Sequence, residues 1–151
     1  MSERSFVFGE HLFTKVVHGT RSVQYVANMD DIRSKKIAPP LQGARVDSHV
    51  EITFLGPKVK GTGIGVDYVN YRADGLIELH VHEEITTEDG AKIAGFATGT
   101  GHWEADVLHV REEISFSTGD PRYSWLNVIH AWGRGMSKPG ENGLRIDVYS
   151  V

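Results

Sequence analysis

Apolar and polar residues alternate with a period of two along most of this chain, as expected of strands that bury one face. From Arg45 to Leu55, Val46, Val50, Ile52 and Phe54 share one parity, and Arg45, Asp47, His49, Glu51 and Thr53 share the other. Gly56-Pro57 stops that run. An earlier β-branched and aromatic stretch runs from Phe6 to His18, and a later one from Gly63 to Tyr71. Asp74-Gly75 then signals a hairpin, Leu76 to Thr87 a strand, and Asp89-Gly90 a second hairpin. Lys92 to Trp103 and Asp106 to Ser117 predict another pair, and Val128 to Gly135 and Leu144 to Val151 the last two strands. Between them, Asp120-Pro121 starts a single helical turn through Asn127, with the aspartate as cap and the proline just inside. Thr20 to Gln42 breaks the pattern. It carries Pro39-Pro40 and several charges, and reads as a long, lid-like loop with one helical turn near Asp30–Ser34.

About eight strands with no long amphipathic helix predict an all-β fold. Short hairpins make successive strands antiparallel neighbours, and closing such a sheet removes its exposed edges. The expectation is an antiparallel barrel of lipocalin or calycin-like architecture, with a two-sheet sandwich as the alternative. The chain has 151 residues, the length of one domain spanning 1–151. It has no cysteine, which excludes disulfides, thiolate metal sites and a cysteine nucleophile, and fits a reducing compartment. A net charge of −4 argues against general attraction to nucleic acid or anionic lipid. No apolar run is long enough for a membrane span, and Met-Ser-Glu-Arg-Ser-Phe is not a signal peptide, so a cytoplasmic location is expected.

Several motifs resemble one family. Thr53 to Gly61, Gly65-Val66-Asp67-Tyr68, Arg72-Ala73-Asp74-Gly75 and Thr86 to Ala91 are similar to signatures of the domain-of-unknown-function 3237 family, the UPF0311 group. Gly119 to Asn127 is the most specific match, and Arg145 to Tyr149 also fits. The resemblance implies a small β-barrel. Family members often carry an acidic residue where Leu55 stands, Leu-Asp-Ala-Arg where this chain has Leu79-His80-Val81-His82, and aliphatic residues where it has His130 and Trp132. These departures are expected where a barrel interior could be lined.

The strand after Gly75 holds the densest candidate chemistry. Ile77, Leu79, Val81 and Ile85 share one parity, and Glu78, His80, His82 and Glu84 share the other. The polar face is either a solvated outer wall or the lining of a pocket. A two-residue turn at Asp89-Gly90 would set the histidines beside Gly95, Ala97 and Gly99, leaving empty volume next to them. On that reading His82 and His80, with Asp67, are the candidate catalytic residues, since imidazole and carboxylate move protons near neutral pH. Tyr68, His49, Trp125, His130 and Trp132 are candidate ligand-binding residues. His80-Val81-His82 also has metal-ligand spacing, with His49 and Glu51 as further donors. It resembles a cupin motif only in part, lacking the closing carboxylate and the second motif.

The expected protein is therefore a small-molecule-binding barrel. As an enzyme it would need no cofactor or metal and would run isomerase or lyase chemistry on a small aromatic or carbonyl-bearing metabolite. A non-catalytic carrier or sensor is one alternative and a metal-dependent, cupin-type enzyme another. Neither nucleic acid nor membrane is an expected partner. A homodimer is expected, because an apolar outer face on the His80 strand would need cover.

Overall fold

The computed structural model describes residues 9–151. Eight strands form one closed barrel in chain order: β1 (His11–Gln24), β2 (Ala44–Pro57), β3 (Lys60–Tyr71), β4 (Ile77–Thr87), β5 (Lys92–Glu104), β6 (Val107–Ser117), β7 (Ala131–Ser137) and β8 (Leu144–Ser150). Each is antiparallel to the next, and β1 pairs with β8 to complete the ring. The barrel expectation holds and the sandwich does not apply. Of the strand anticipated from Phe6, positions 6–8 lie outside the described residues. No helix among the described residues is long and apolar enough to cross a membrane.

Two differences from expectation bear on the site. β1 continues through Thr20 to Gln24, where Ser22, Val23 and Gln24 pair with Ser48, Asp47 and Val46. A ready partner strand outweighs the polar local sequence there. The loop is shorter for it and carries α1 (Met29–Arg33), capped by Asn28 accepting from the amides of Asp30 and Asp31.

The second difference decides which face lies inside. β4 and β5 are joined by three residues, Glu88-Asp89-Gly90, with Gly90 at φ 89° and the Thr87 amide donating to Ala91 O at 3.0 Å. Three-residue hairpins place a residue with positive φ at this point, which suits glycine. The odd loop length shifts the register by one and exchanges the two faces. Val81 therefore pairs with Ala97 and Glu83 with Gly95. The apolar parity of β4 points inward, and His80 and His82 point out. The dimer argument that required an apolar outer face on β4 loses its basis.

The interior is layered. At one end Phe13 meets Phe54 and Phe116 edge-on, at centroid distances of 5.3 and 6.1 Å. Leu126, from a 3₁₀ helix at Pro121–Val128, fills this end and is fully buried. Asp120 caps that helix through the Arg122 amide, and Arg122 pairs with both Asp120 and Asp89. Asn127 closes on the Thr118 backbone through both its side-chain oxygen and nitrogen. The Gly119–Asn127 motif is thus an end plug. At the opposite end Met29 and Ile32 of α1 pack on Val46, Val69 and Ile77, covering the rim of β2 to β4.

Candidate active site in the barrel interior

A cavity of about 270 Å³ lies inside the barrel, between the apolar plug and α1. Apolar groups from six strands, among them Val17, Val50, Val69, Leu79, Val110 and Ile146, form much of its wall. Into it project Lys15 (β1), Asp67 (β3), Glu83 (β4) and Glu112 (β6). Each occupies an inward position of its strand, flanked two residues away by apolar neighbours such as Val17, Val69, Val81 and Val110.

Lys15 Nζ lies 2.5 Å from Glu83 Oε1 and 2.7 Å from Glu112 Oε1, with all three side chains almost wholly buried. Burial alone would lower the lysine pKa, but the Glu112 and Glu83 carboxylates outweigh it and raise it above the ordinary value. The ammonium stays charged and acts as a fixed cation, not as an amine nucleophile. Burial raises the Glu112 pKa against the lowering pull of Lys15. Glu83 Oε2 has no hydrogen-bond partner, and Glu112 Oε1 meets the ammonium without hydrogen-bond alignment. An unsatisfied buried oxygen is costly, so Glu83 Oε2 is a ready acceptor for a donor brought by a ligand. Glycines make the room. A Cβ at Gly95 would stand 3.0 Å from Glu83 Oε2, and one at Gly133 2.9 Å from Glu112 Cγ.

Asp67 sits where the β3–β4 ladder opens between the Asp67–Val81 and Asn70–Glu78 pairs. Its Oδ1 accepts the His80 backbone amide at 2.9 Å. Burial raises its pKa to about 6, with Glu112 and Glu83 adding to the rise and the His80 amide and Lys15 opposing it. Burial in a largely apolar wall thus lifts Asp67 toward the neutral range, the environment that tunes carboxyl groups for acid–base work.

The other predicted site residues lie elsewhere. His80 and His82 are exposed on the outer face of β4, Nε2 to Nε2 3.3 Å apart. Tyr68 and Phe96 flank them edge-on or tilted at centroid distances of 5.1–6.2 Å, and the Arg45 guanidinium covers Tyr68. His49 is half-buried on the outward parity of β2. Trp125 is partly exposed on the 3₁₀ helix, His130 is exposed before β7, and Trp132 faces out from β7. Of the family departures, Leu55, His80, His82, His130 and Trp132 are at exposed positions, against the expectation that they line the interior, while Val81, valine in place of the family's alanine, does line the cavity. Of the eight chosen residues only Asp67 reaches the cavity. Lys15, Glu83 and Glu112 were missed.

The family model described as protein of unknown function (DUF3237) matches residues 10–151. The chain belongs to this family. Within the DUF3237 fold, a β-barrel-like protein of Acinetobacter baumannii superposes with a TM-score of 0.75 at 20% identity, over 99% of both chains. An enzyme from Penicillium herquei superposes at 0.67 and 22% identity over the whole of both. In sequence, the chain is 36% identical over 81 residues to the hydroalkoxylation enzyme phnH of Penicillium herquei. That match takes in 53% of this DUF3237 chain and 49%, about half, of the relative.

Proposed function

We propose that this barrel is a small-molecule enzyme that moves a proton to or from its substrate inside the cavity, with Asp67 as general acid and base. The observation that carries this is a cavity-lining carboxyl whose pKa lies at about 6, beside a buried ammonium and two further carboxyl groups. A sequence relative named as a hydroalkoxylation enzyme supports an enzyme-like barrel and points to one reaction class, the addition of an O–H group across a carbon–carbon double bond.

The chemistry balances with these residues alone. Protonated Asp67 gives its proton to one carbon of a polarised double bond. The substrate hydroxyl oxygen bonds to the other carbon and releases its own proton to the Asp67 carboxylate. The reverse sequence is an elimination, and replacing the oxygen step by loss of a proton from a neighbouring carbon to the Asp67 carboxylate gives a double-bond isomerisation. All three fall within isomerase or lyase chemistry. Lys15 supplies a fixed positive field for oxyanion character that develops on the substrate, an effect strengthened by exclusion of water. A volume of about 270 Å³ falls just under the usual range for drug-sized ligands, which fits a compact, largely apolar substrate of one or two rings.

The test needs no foreknowledge of the net reaction. Aromatic alkenes bearing a free hydroxyl are incubated with the protein in deuterium oxide, and deuterium entering carbon positions is read by mass spectrometry. Wild-type protein should catalyse incorporation into at least one class. Asp67→Asn should bind the same compound and lose roughly 10²-fold or more of the exchange rate. Exchange that persists in Asp67→Asn, or an absence of exchange with ligands shown to occupy the cavity, would overturn the assignment.

A further inference from the structure

Beyond the interior site, we propose that the β5–β6 hairpin holds a divalent transition-metal ion of the zinc class, bound by His102, Glu104 and His109. This departs from the sequence reading, which expected no metal and weighed only the histidines of β4 with His49 and Glu51 of β2.

His102 and His109 are direct cross-strand partners on the outer face, at the rim on the α1 side of the barrel. Their ring centroids lie 5.0 Å apart with 12° between planes, and one nitrogen of each ring lies at the same patch of the outer face as the Glu104 carboxylate. Glu104 lies two residues beyond His102 on the same parity, and its Oε2 is 3.5 Å from His109 Nε2. One ligand atom from each residue falls within 4.8 Å of the other two. Bonds of about 2.0–2.2 Å to a shared ion require donor atoms about 3–4 Å apart, so a small rotation of exposed side chains completes the set. Two imidazoles and one carboxylate suit zinc, copper, nickel or iron and discriminate against magnesium and calcium, which take oxygen donors.

The hairpin keeps the donors in place. Only Ala105 and Asp106 separate Glu104 from Val107, and the ladder continues from the Glu104–Val107 pair through His102–His109. His102 also borders an open cleft of about 700 Å³ between the α1 loop and the rim, with Arg33, Pro39, Tyr71 and Trp103 among its walls. Three protein ligands leave coordination positions for water or for an oxygen donor held in that cleft. The two histidines of β4, by contrast, bring no third donor: among the described residues, this triad is the one group of three metal-binding side chains in reach of a common point.

Untagged protein stripped with chelator is titrated with zinc chloride by calorimetry, with magnesium chloride as the comparison. The expected result is one zinc per chain and no magnesium uptake. His109→Gln and Glu104→Gln, both on exposed or half-exposed positions, should keep the wild-type circular dichroism. His109→Gln should weaken zinc at least about tenfold, whereas His82→Gln should leave it unchanged. Zinc should also raise the unfolding temperature of wild type and of His82→Gln but not of His109→Gln. No stoichiometric zinc, or zinc binding lost in His82→Gln and kept in His109→Gln, would overturn the proposal.

Discussion

Replacing Asp67 with asparagine should make the protein more stable while removing its proton-transfer activity. Asparagine keeps the shape and an oxygen able to accept the His80 amide, and removes only the charge. Burial lifts the Asp67 pKa from 3.8 to about 6 in the folded state. That rise spans roughly two pH units, each worth about 1.4 kcal/mol, so ionising Asp67 above pH 6 costs the fold about 3 kcal/mol. Between pH 4 and 6 the folded state holds the proton that the unfolded chain has released. Wild-type stability should therefore fall as pH rises from 4 through 6 and level off above it. Urea titrations at pH 4, 5, 6, 7 and 8 on both proteins give the difference directly. The asparagine variant should gain about 2–3 kcal/mol over wild type at pH 8, and the gain should vanish near pH 4. A stabilising change that destroys activity is the mark of a group held for function. A difference that is flat with pH, or a variant less stable at pH 8, would refute the account of Asp67 as a buried, proton-holding carboxyl.

Other consequences are open to measurement. Proton exchange driven by the acid form of Asp67 should decline as pH rises through about 6, seen as a descending limb in the rate profile of wild type. Lys15→Met strands two buried carboxyl groups and should cost about 3–5 kcal/mol at pH 7, with part of the loss recovered at lower pH as Glu112, whose pKa burial already raises, takes up a proton. A Cβ at Gly19 would meet nothing within 4 Å, and Gly19 lines the cavity on the side α1 does not cover. Gly19→Leu should weaken ligand binding about tenfold with a stability change within about 0.5 kcal/mol, read by fluorescence titration and melting. His82→Ala should leave both stability and exchange unchanged, since its ring lies on the outer wall. Ala97→Leu, attractive for filling a hole if the histidines faced inward, should instead cost about 1–3 kcal/mol, because Ala97 is fully buried in the packed core.

The barrel was legible because alternation, hairpin signals and strand count all agree on one closed sheet. The site was less so, for two reasons visible in single residues. Facing at β4 hung on whether Asp89-Gly90 was a two- or three-residue loop, and one residue exchanges the walls. Charged residues are ordinary on the polar parity, so the histidines there carry little information. The informative signal lay in the other parity, where Glu83 interrupts Ile77, Leu79, Val81 and Ile85, Glu112 interrupts Leu108, Val110, Ile114 and Phe116, and Lys15 precedes Val17. A charge at a position whose neighbours two residues away are all apolar is expensive unless paired, so it signals function more than a histidine on a wet face does. Gly119–Asn127 makes the plug, and so serves the fold without touching the cavity.

Closure of the ring through β1 and β8 has a kinetic consequence. Seven of the eight ladders join neighbours in sequence, but the last joins residues as far apart as His11 and Tyr149. Loop-closure entropy makes such a ladder late in folding, and topologies of this kind fold in milliseconds to seconds. Lys15 rides on β1, and Glu83 and Glu112 on β4 and β6, so the three are enclosed in one interior only once the β1–β8 ladder closes the ring. In the open sheet these charges would interrupt the face that becomes the core. Charge on an otherwise apolar face opposes contact between unfinished copies of the chain, so the groups that equip the finished cavity should also favour folding over association.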